Sequence, residues 1–243
     1  KGFINDPNLN DTFDVHDGLR KARGFLNQVL HIGLPAGTEF LDPFIPQYYA
    51  DLISWGAIGA RTVESQTHRQ LSSGLSMPIG FKNGTGGTVQ IALEAIITAQ
   101  NQHVFLGIDE KGQASVVKTK GNAYGHLILR GGKNGTNYDE KSIKTAVELL
   151  NKNNLNSQLI VDCSHGNSNK DHRNQSKVFK SVLNQKINGQ KSIFGIMLES
   201  HLNPGNQDLS SDTKNLEYGV SITDECIGWD ETSELIQWAY NKL

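Results

Sequence analysis

The stretch "MPIGFKNGTGGTVQIALEAIITAQ", residues 77–100, contains the three parts of one strand-loop-helix unit. Its first residues are a short apolar run that predicts a buried strand ending at Lys82. A glycine-rich loop follows, and then the clearest amphipathic helix in the chain. The apolar face of that helix is formed by Val89, Ala92, Leu93, Ile96 and Ile97. Such a unit is typical of α/β folds, in which helices cover a parallel sheet.

The same alternation of short strands and helical patterns continues on both sides of this unit. Helices are predicted at 15–31, 46–54, 139–151, 175–186 and from about residue 231. The stretch 103–119, "HVFLGIDEKGQASVVKT", predicts an antiparallel β-hairpin of about 103–118 inserted into this order. Six core strands are predicted, and they end at Glu39, Arg61, Lys82, Arg130, His165 and Glu199.

A closed (β/α)₈ TIM barrel needs eight strands, two more than the pattern predicts. The chain also opens with a loop and a helix instead of a strand. We therefore expect residues 1–243 to form a single partial barrel domain that carries the inserted hairpin. Its first two strand-helix units are expected to be absent from this chain, and this reading is preferred to a complete doubly wound sheet.

The composition argues against several classes of binding partner and structural site. Lys and Arg total 23 against 25 Asp and Glu, a formal charge of -2, which gives no electrostatic case for nucleic acid or an anionic membrane. No apolar run approaches the roughly 18 residues of a membrane span. The two cysteines, Cys163 and Cys226, form no CxxC pair, so we expect neither a disulfide framework nor a zinc knuckle. A reducing, cytoplasmic location is the simplest expectation.

Polar or charged side chains end all six predicted core strands. In α/β folds the active site lies at the carboxyl ends of the strands. Three of these residues, Arg61, Lys82 and Arg130, are cations beside glycines, which suits a small substrate with phosphate and carboxylate groups. In "GFKNGTGGT" the lysine precedes the glycines, unlike in a Walker loop, so a nucleoside triphosphate site is not expected.

The stretch "LIVDCSHGNSNKDH", residues 159–172, leaves three chemistries open. Cys163 with a histidine suggests a thiol nucleophile, Ser164 with histidine and aspartate suggests a hydrolase, and His165 alone suggests a metal ligand. Glu199 and Asp224 give His165 two carboxylate partners, a set that suits Mn²⁺, Fe²⁺, Co²⁺ or Zn²⁺. The plainer alternative is that His165 is a hydrogen-bonded core residue with both carboxylates in loops, and Cys163 a small buried apolar residue. Structural or solvated roles are expected for five other histidines: His68, His103, His126, His172 and His201.

Five segments together resemble the class I 3-deoxy-D-arabino-heptulosonate 7-phosphate (DAHP) synthases. They are "GAIGARTVESQTHRQLSSGLSMPIGFKNGTGG", "GHLILRGGKNGTNY", "VDCSHGNSNKDHR", "MLESHLNPGNQ" and "YGVSITDECIGW", and they follow the family order along nearly the whole chain. That family uses a (β/α)₈ barrel and a divalent metal to condense phosphoenolpyruvate with D-erythrose 4-phosphate and water. The products are DAHP and phosphate, in the first step of the shikimate pathway.

The resemblance also implies roles for individual residues. Phosphoenolpyruvate is expected to contact Arg61, Lys82, Arg130, Glu39, Ala60 and Lys1. The metal ligands are expected to be His165, Glu199 and Asp224. Lys82 and Glu39 are candidates for handling the attacking water. The hairpin matches a family extension associated with inhibition by an aromatic amino acid, with Pro46, Gln47 and Ser76 at the effector site. A homodimer or homotetramer is implied as well.

Two family features do not occur in this sequence: the cysteine that is the fourth metal ligand, and a Lys-Pro-Arg-Thr motif for the sugar phosphate. Both belong upstream of the first residue. We therefore expect the chain to be incomplete at its N-terminus, and a protein of these residues alone to be inactive or poorly folded. The alternatives are a non-catalytic paralogue and the related 3-deoxy-octulosonate 8-phosphate synthase.

Overall fold

The computed structural model describes residues 2–109, 111–209 and 213–243. Strands and α-helices alternate along the described chain. The strands are β1 (Gly37–Glu39), β2 (Trp55–Ile58), β3 (Ile79–Lys82), β4 (Val104–Ile108), β5 (Ala114–Lys118), β6 (Gly125–Leu129), β7 (Leu159–Asp162) and β8 (Ile193–Met197). The helices are α1 (Val15–His31), α2 (Gln66–Gly74), α3 (Gln90–Gln100), α4 (Glu140–Lys152), α5 (Gln175–Ile187) and α6 (Trp229–Tyr240).

Six of the strands form one sheet in the order β1-β2-β3-β6-β7-β8, and the neighbours whose register is resolved are parallel. The chain divides into two compact units, residues 1–81 with 95–125 and residues 82–94 with 126–243. Strands β3 and β6 each cross this division. In the first unit the Ile79 amide donates to the Tyr124 carbonyl, and in the second the Asn83 amide donates to the Ile128 carbonyl. An α/β fold with a parallel sheet is therefore confirmed.

The inserted hairpin lies where the sequence predicts it. Strands β4 and β5 pair only with each other, antiparallel, with Val104 opposite Lys118 and Ile108 opposite Ala114. The predicted helices at 15–31, 139–151 and 175–186 agree with α1, α4 and α5 to within a residue at each end. No described helix has the length and apolar character needed to cross a lipid bilayer.

Two local predictions are wrong. The helix expected at 46–54 is a pair of short 3₁₀ turns, because Tyr49, with φ of -150°, interrupts the helical backbone between them. Helix α2 was not predicted at all. Its sequence lacks an apolar stripe, and the residues that it buries include Ser72 and Ser73. The side chain of Ser65 caps its first turn.

Several predicted strand ends extend too far. Glu39 and Lys82 are the last residues of β1 and β3, and Arg130 directly follows β6. The other polar residues lie in loops: Glu199 two residues after β8, and Arg61 and His165 three residues after β2 and β7. Backbone pairing stops before burial does, since Asn83 and Cys163, the residues directly after β3 and β7, are still fully buried.

The central strands are more deeply buried than the terminal ones. Every residue of β3, β6 and β7 is buried, which explains their continuous apolar runs. Strands β1 and β8, at the two ends of the sheet order, are only partly buried, and Phe194 of β8 is 46% exposed. The sheet therefore has two edge strands without a paired neighbour among the described residues.

Glycines allow the loops after β3, β6 and β7 to touch through their backbones. A Cβ atom on Gly132 would lie 2.3 Å from the amide nitrogen of Gly87, and one on Gly166 would lie 2.3 Å from the amide nitrogen of Gly132. Gly131 has a φ of +67° and a Cβ there would lie 2.5 Å from the amide nitrogen of Asn167. Only glycine permits these approaches, since real Cβ contacts are much longer. The three loops carrying Lys82, Arg130 and His165 are held together in this way.

Replacing Gly166 by alanine should therefore destabilise the fold. We expect Gly166→Ala to lower the free energy of unfolding by about 1–3 kcal/mol, because the new methyl group overlaps backbone that cannot move away. Gly86→Ala is the matched control, since that Cβ would meet no atom within 4 Å and its φ is ordinary. The control should change stability by less than about 0.5 kcal/mol in urea denaturation. Equal losses for both variants would contradict the loop packing.

Candidate active site

His165, Glu199 and Asp224 lie together in the second unit. Each offers one atom to a group in which all three lie within 4.8 Å of one another. His165 Nε2 is 3.4 Å from Glu199 Oε1 and 3.8 Å from Asp224 Oδ2. Ligands of a shared tetrahedral ion are typically about 3.4 Å apart, so one imidazole and two carboxylates here fit a divalent cation in both donor type and spacing. The structure brings together the three residues that the sequence suggested.

The loop after β7 holds His165 in an uncommon backbone conformation. Its φ is +55°, in the left-handed region that costs a non-glycine residue about 1–2 kcal/mol. The carbonyl of His165 accepts a 2.8 Å hydrogen bond from the Lys170 amide, and Asp162 Oδ1 accepts a 2.9 Å bond from the Ser164 amide. Strain of this kind is found mainly where the surrounding structure must aim a functional side chain.

Glu199 is held by a buried amide side chain. Gln175, at the start of α5, is fully buried and accepts a 2.8 Å bond from the Glu199 amide. It also donates a 3.1 Å bond to the Glu199 carbonyl. The Ser164 hydroxyl donates to Glu199 Oε2. Burial raises the pKa of the Glu199 carboxyl, and the negative charges of Asp162 and Asp224 act in the same direction.

Asp224 comes from a long loop that returns to the strand ends. The Cys226 amide donates a 3.1 Å bond to the Gly205 carbonyl, and the Ile227 amide donates a 3.0 Å bond to the Glu199 carbonyl. These bonds fasten the segment that carries Asp224 to the end of β8. The Asp224 side chain is 72% exposed, whereas that of His165 is 20% exposed. The group therefore opens to solvent on the Asp224 side.

Asp162 is a buried carboxylate that the sequence analysis assigned no role. It is the last residue of β7, and its Oδ2 lies 3.1 Å from Lys82 Nζ and 3.0 Å from His165 Nδ1. Neither contact meets full hydrogen-bond geometry, although each brings a nitrogen within 3.1 Å of the carboxylate oxygen. Burial alone would raise the pKa of Asp162, but the contact with His165 and the positive charge of Lys82 lower it to about 2. A signal was present in the sequence, since an aspartate that ends an apolar strand needs a buried cation as partner.

The other two chemistries suggested for residues 159–172 find no support in the geometry. Cys163 is fully buried, and burial together with the charge of Asp162 raises the pKa of its thiol. The Ser164 hydroxyl donates to Glu199 and not to His165. These arrangements oppose the formation of a thiolate and leave the serine without a histidine base. The residue that faces the cluster of carboxylates is His165.

A chain of asparagine side chains ties the same loops together. Asn83, fully buried, donates to the Gly131 carbonyl at 2.9 Å and accepts from the Arg130 amide at 2.8 Å. Asn137 donates to Asn83 at 3.1 Å and accepts from the Gly131 amide at 2.7 Å. Asn167 in turn accepts from the Asn137 amide at 2.8 Å. These amides fix the backbone beside Arg130 and the loop of His165 in one network.

The remaining predicted substrate residues belong to the first unit. Glu39 ends β1, and its carboxylate lies so close to Gly59 that a Cβ there would be 2.1 Å from Glu39 Oε1. Ala60 and Arg61 follow in the turn after β2, and Arg61 is exposed. Lys1 lies outside the described residues. Of the five described residues expected to contact phosphoenolpyruvate, three thus belong to the first unit, and Lys82 and Arg130 belong to the second.

A second group of metal-ligand type occurs at Asp171, His172 and Glu225. Its members already have partners, since Arg173 contacts Asp171 at 2.7 Å and His172 Nδ1 contacts Glu225 at 2.9 Å. The other histidines given structural roles include His68 and His103, whose ring nitrogens contact Ser65 and the Thr98 carbonyl. These groups are explained by internal contacts.

A pocket of about 400 Å³ lies beside the hairpin in the first unit. It is lined by Gln47, Ile108, Asp109, Lys111, Ser115, Val116 and Val117. Of the three residues expected at an effector site, Gln47 lines this pocket, while Pro46 is buried and Ser76 is exposed without lining it. The pocket combines apolar side chains with one carboxylate and one ammonium group.

Comparisons with known proteins all indicate the same protein family. Residues 1–237 match the model of the DAHP synthetase I family. The Phe-sensitive and Tyr-sensitive phospho-2-dehydro-3-deoxyheptonate aldolases of Escherichia coli are 51% and 48% identical over the whole chain, which spans 69% and 68% of their lengths. A solved structure of phospho-2-dehydro-3-deoxyheptonate aldolase from Francisella tularensis is 47% identical in sequence and has a TM-score of 0.95. The match covers the whole of this chain and 70% of the Francisella chain. The chain spans about two thirds of the length of its curated relatives.

The surroundings of Cys163 predict that its thiol is inert in the folded protein. We expect iodoacetamide at neutral pH to leave Cys163 unlabelled, because the thiol is buried and its raised pKa suppresses the reactive thiolate. Peptide mass spectrometry after labelling with and without guanidinium measures this. Labelling in denaturant is the control that the reagent can reach the residue. Rapid labelling of the folded protein with loss of function would instead support the hypothesis that Cys163 is a thiol nucleophile.

Proposed function

Because the chain belongs to the DAHP synthetase I family, we propose that the protein condenses phosphoenolpyruvate with D-erythrose 4-phosphate and water to give DAHP and phosphate. The grouping of His165, Glu199 and Asp224 next to the buried Lys82–Asp162 pair is the observation that carries the proposal. It supplies both of the elements that the reaction needs, a divalent-ion site and a cation for an anionic substrate. In the condensation, C3 of phosphoenolpyruvate bonds to the aldehyde carbon, whose oxygen takes up a proton. Water adds at C2 and loses a proton, and the bond between C2 and the phosphate oxygen breaks to release phosphate.

His165 Nε2, Glu199 Oε1 and Asp224 Oδ2 are the atoms that would hold the metal. The chemistry supplied by a bound divalent ion is Lewis-acid polarisation of the sugar aldehyde. A positive ion between the two carboxylates would also stabilise the ionised form of Glu199, whose pKa is raised without one. Which of Mn²⁺, Fe²⁺, Co²⁺ or Zn²⁺ is bound is left to metal analysis.

The cations at the loops bind and orient phosphoenolpyruvate in this proposal. Arg61 and Arg130 present planar guanidinium groups that suit bidentate contact with phosphate or carboxylate oxygens. Lys82 adds a point charge, and its position is set by Asp162 at 3.1 Å. Lys82 and Arg130, both in the second unit, would offset the repulsion between the phosphate and carboxylate of one small substrate. Glu39 and Lys82 are the proposed groups for handling the attacking water.

We also propose that the six parallel strands are part of a (β/α)₈ barrel. Three observations support this reading: the parallel order of the sheet, the polar residues after its strands, and the 0.95 TM-score to the Francisella structure. The partial exposure of β1 and β8 fits strands that pair with further neighbours in such a barrel. A single domain over 1–243, a homodimer or homotetramer, and a cytoplasmic location remain predictions taken from the sequence and the family resemblance.

Regulation by an aromatic amino acid is proposed for the pocket beside the hairpin. Two of the relatives are named for sensitivity to tyrosine and to phenylalanine. In the pocket, Ile108, Val116 and Val117 offer an apolar surface to an aromatic ring. Asp109 and Lys111 carry the opposite charges that the ammonium and carboxylate groups of an amino acid need.

The proposed reaction can be tested on the protein expressed from its complete reading frame. We expect DAHP and phosphate to form in equal amounts from phosphoenolpyruvate and erythrose 4-phosphate, to stop with EDTA and to resume with Mn²⁺. His165→Ala should lower turnover by at least about 100-fold, because a metal ligand is lost. His31→Ala, at an exposed helix end, is the matched control and should leave turnover unchanged.

Three outcomes would contradict the proposal in different ways. Binding of Mn²⁺ and phosphoenolpyruvate without any turnover would favour a non-catalytic paralogue. Faster reaction with arabinose 5-phosphate than with erythrose 4-phosphate would favour the octulosonate enzyme. Turnover by His165→Ala equal to that of the parent would remove this histidine from the site.

The effector pocket makes a separate prediction. We expect phenylalanine or tyrosine to inhibit the enzyme, and Gln47→Ala to raise the concentration for half-inhibition by about tenfold, because one polar contact with the effector is lost. The turnover without inhibitor should not change. Gln113→Ala, in the hairpin turn but not lining the pocket, is the matched control. Unchanged inhibition of Gln47→Ala would place the effector elsewhere.

A further inference from the structure

The carboxylate of Asp162 contacts one residue of the proposed substrate site and one of the proposed metal site. It lies at the end of β7, 1% exposed, and Oδ1 accepts the Ser164 amide at 2.9 Å. Its Oδ2 lies 3.1 Å from Lys82 Nζ and 3.0 Å from His165 Nδ1. A single oxygen atom therefore faces both a buried ammonium group and the ring of a candidate metal ligand.

The contact with Nδ1 favours one of the two neutral tautomers of the His165 ring. A neutral imidazole carries its proton on one nitrogen and offers a lone pair on the other. Nε2 is the nitrogen that faces Glu199 and Asp224, so a metal ligand needs the proton on Nδ1. A carboxylate 3.0 Å from Nδ1 favours that tautomer through its charge, and Nδ1 has no other hydrogen-bond partner. Among the described residues Asp162 is the one carboxylate that lies within ion-pair distance of this nitrogen.

The contact with Lys82 sets the position of the cation. Lys82 is 7% exposed, and such a buried ammonium group needs a nearby negative charge. Asp162 supplies that charge from the end of β7, 3.1 Å away. No other ion pair of Lys82 occurs in the described part of the chain. Loss of the Asp162 charge would therefore leave the ammonium group without the carboxylate that positions it.

We propose that Asp162 is a positioning residue that couples metal binding to phosphoenolpyruvate binding. Through Nδ1 it aims Nε2 of His165 at the metal, and through Lys82 it places a cation for the substrate anion. The inference rests on the proposed function, because it assigns those ligands to these two residues. Removing the carboxylate charge weakens the binding of both ligands, although Asp162 touches neither of them.

The test is a set of binding measurements on the purified protein, with metal affinity as a readout that does not depend on turnover. Isothermal titration of metal-free protein with Mn²⁺, and of the Mn²⁺ form with phosphoenolpyruvate, gives the two dissociation constants. For Asp162→Asn, which keeps the volume but not the charge, we expect the Mn²⁺ dissociation constant to rise 10- to 100-fold. The constant for phosphoenolpyruvate should rise about tenfold.

Asp6→Asn is the matched control for replacing a buried aspartate. Asp6 is 5% exposed and belongs to the first unit, which contains none of the metal group. Its replacement should change both dissociation constants by less than about twofold. Circular dichroism and thermal melting of all variants show whether each one is folded at the titration temperature.

Lys82 variants separate positioning from a purely structural effect. Lys82→Met should weaken phosphoenolpyruvate binding but leave the Mn²⁺ constant within about threefold, because Asp162 still faces Nδ1. The double variant Lys82→Met/Asp162→Asn has no orphaned buried charge, so it remains folded even if Asp162→Asn alone does not. Its Mn²⁺ affinity should be as low as that expected for Asp162→Asn.

Two results would overturn the inference. One is parental Mn²⁺ affinity in Asp162→Asn. The other is recovery of Mn²⁺ affinity in the double variant, which would mean that the single variant only disturbed the fold. The His165→Ala variant distinguishes these failures from failure of the proposed function. If His165→Ala loses Mn²⁺ binding while Asp162→Asn does not, only the role of Asp162 is wrong; if neither variant affects binding, the metal site itself is wrong.

Discussion

The close approach of three loop backbones at Gly87, Gly132 and Gly166 is the constraint on which the candidate site depends. Each contact brings main-chain atoms to a distance that no side chain could share. The loops follow three strands of the sheet, β3, β6 and β7, and they carry Lys82, Arg130 and His165. Glycine loses more conformational entropy on folding than other residues do. In return, the absence of side chains at these glycines lets the loops after separate strands pack backbone to backbone.

Ionisable side chains are arranged in a line beside this backbone. Lys82, Asp162 and the ring of His165 form a line of contacts of about 3 Å, and Glu199 lies beyond Nε2 of the same ring. The pKa of Asp162 is lowered by its positive neighbour, while that of Glu199 is raised by burial and by other carboxylates. The proposed metal ligands lie at the carboxylate end of this line. Lys82, the proposed contact for an anionic substrate, lies at the other end.

Patterns of hydrophobicity predicted the strands, the hairpin and five of the six described α-helices. The failure at α2 has a physical reason, since this helix buries small serines and has no apolar stripe for a periodicity argument to detect. The strand ends predicted at Arg61, His165 and Glu199 lie two or three residues beyond the ends that the structure shows. A polar residue after an apolar run shows where burial ends, but backbone pairing can stop several residues earlier.

The sequence by itself determined the α/β class, the family resemblance and the three residues proposed as metal ligands, because these depend on periodicity and on residue types in a fixed order. Only the tertiary structure decided what holds those ligands in place. Asp162, Gln175 and the asparagine network act through contacts between segments far apart in the chain. Sequence spacing carries no information on which buried polar groups will satisfy one another, since that depends on how strands β3, β6, β7 and β8 are ordered in the sheet.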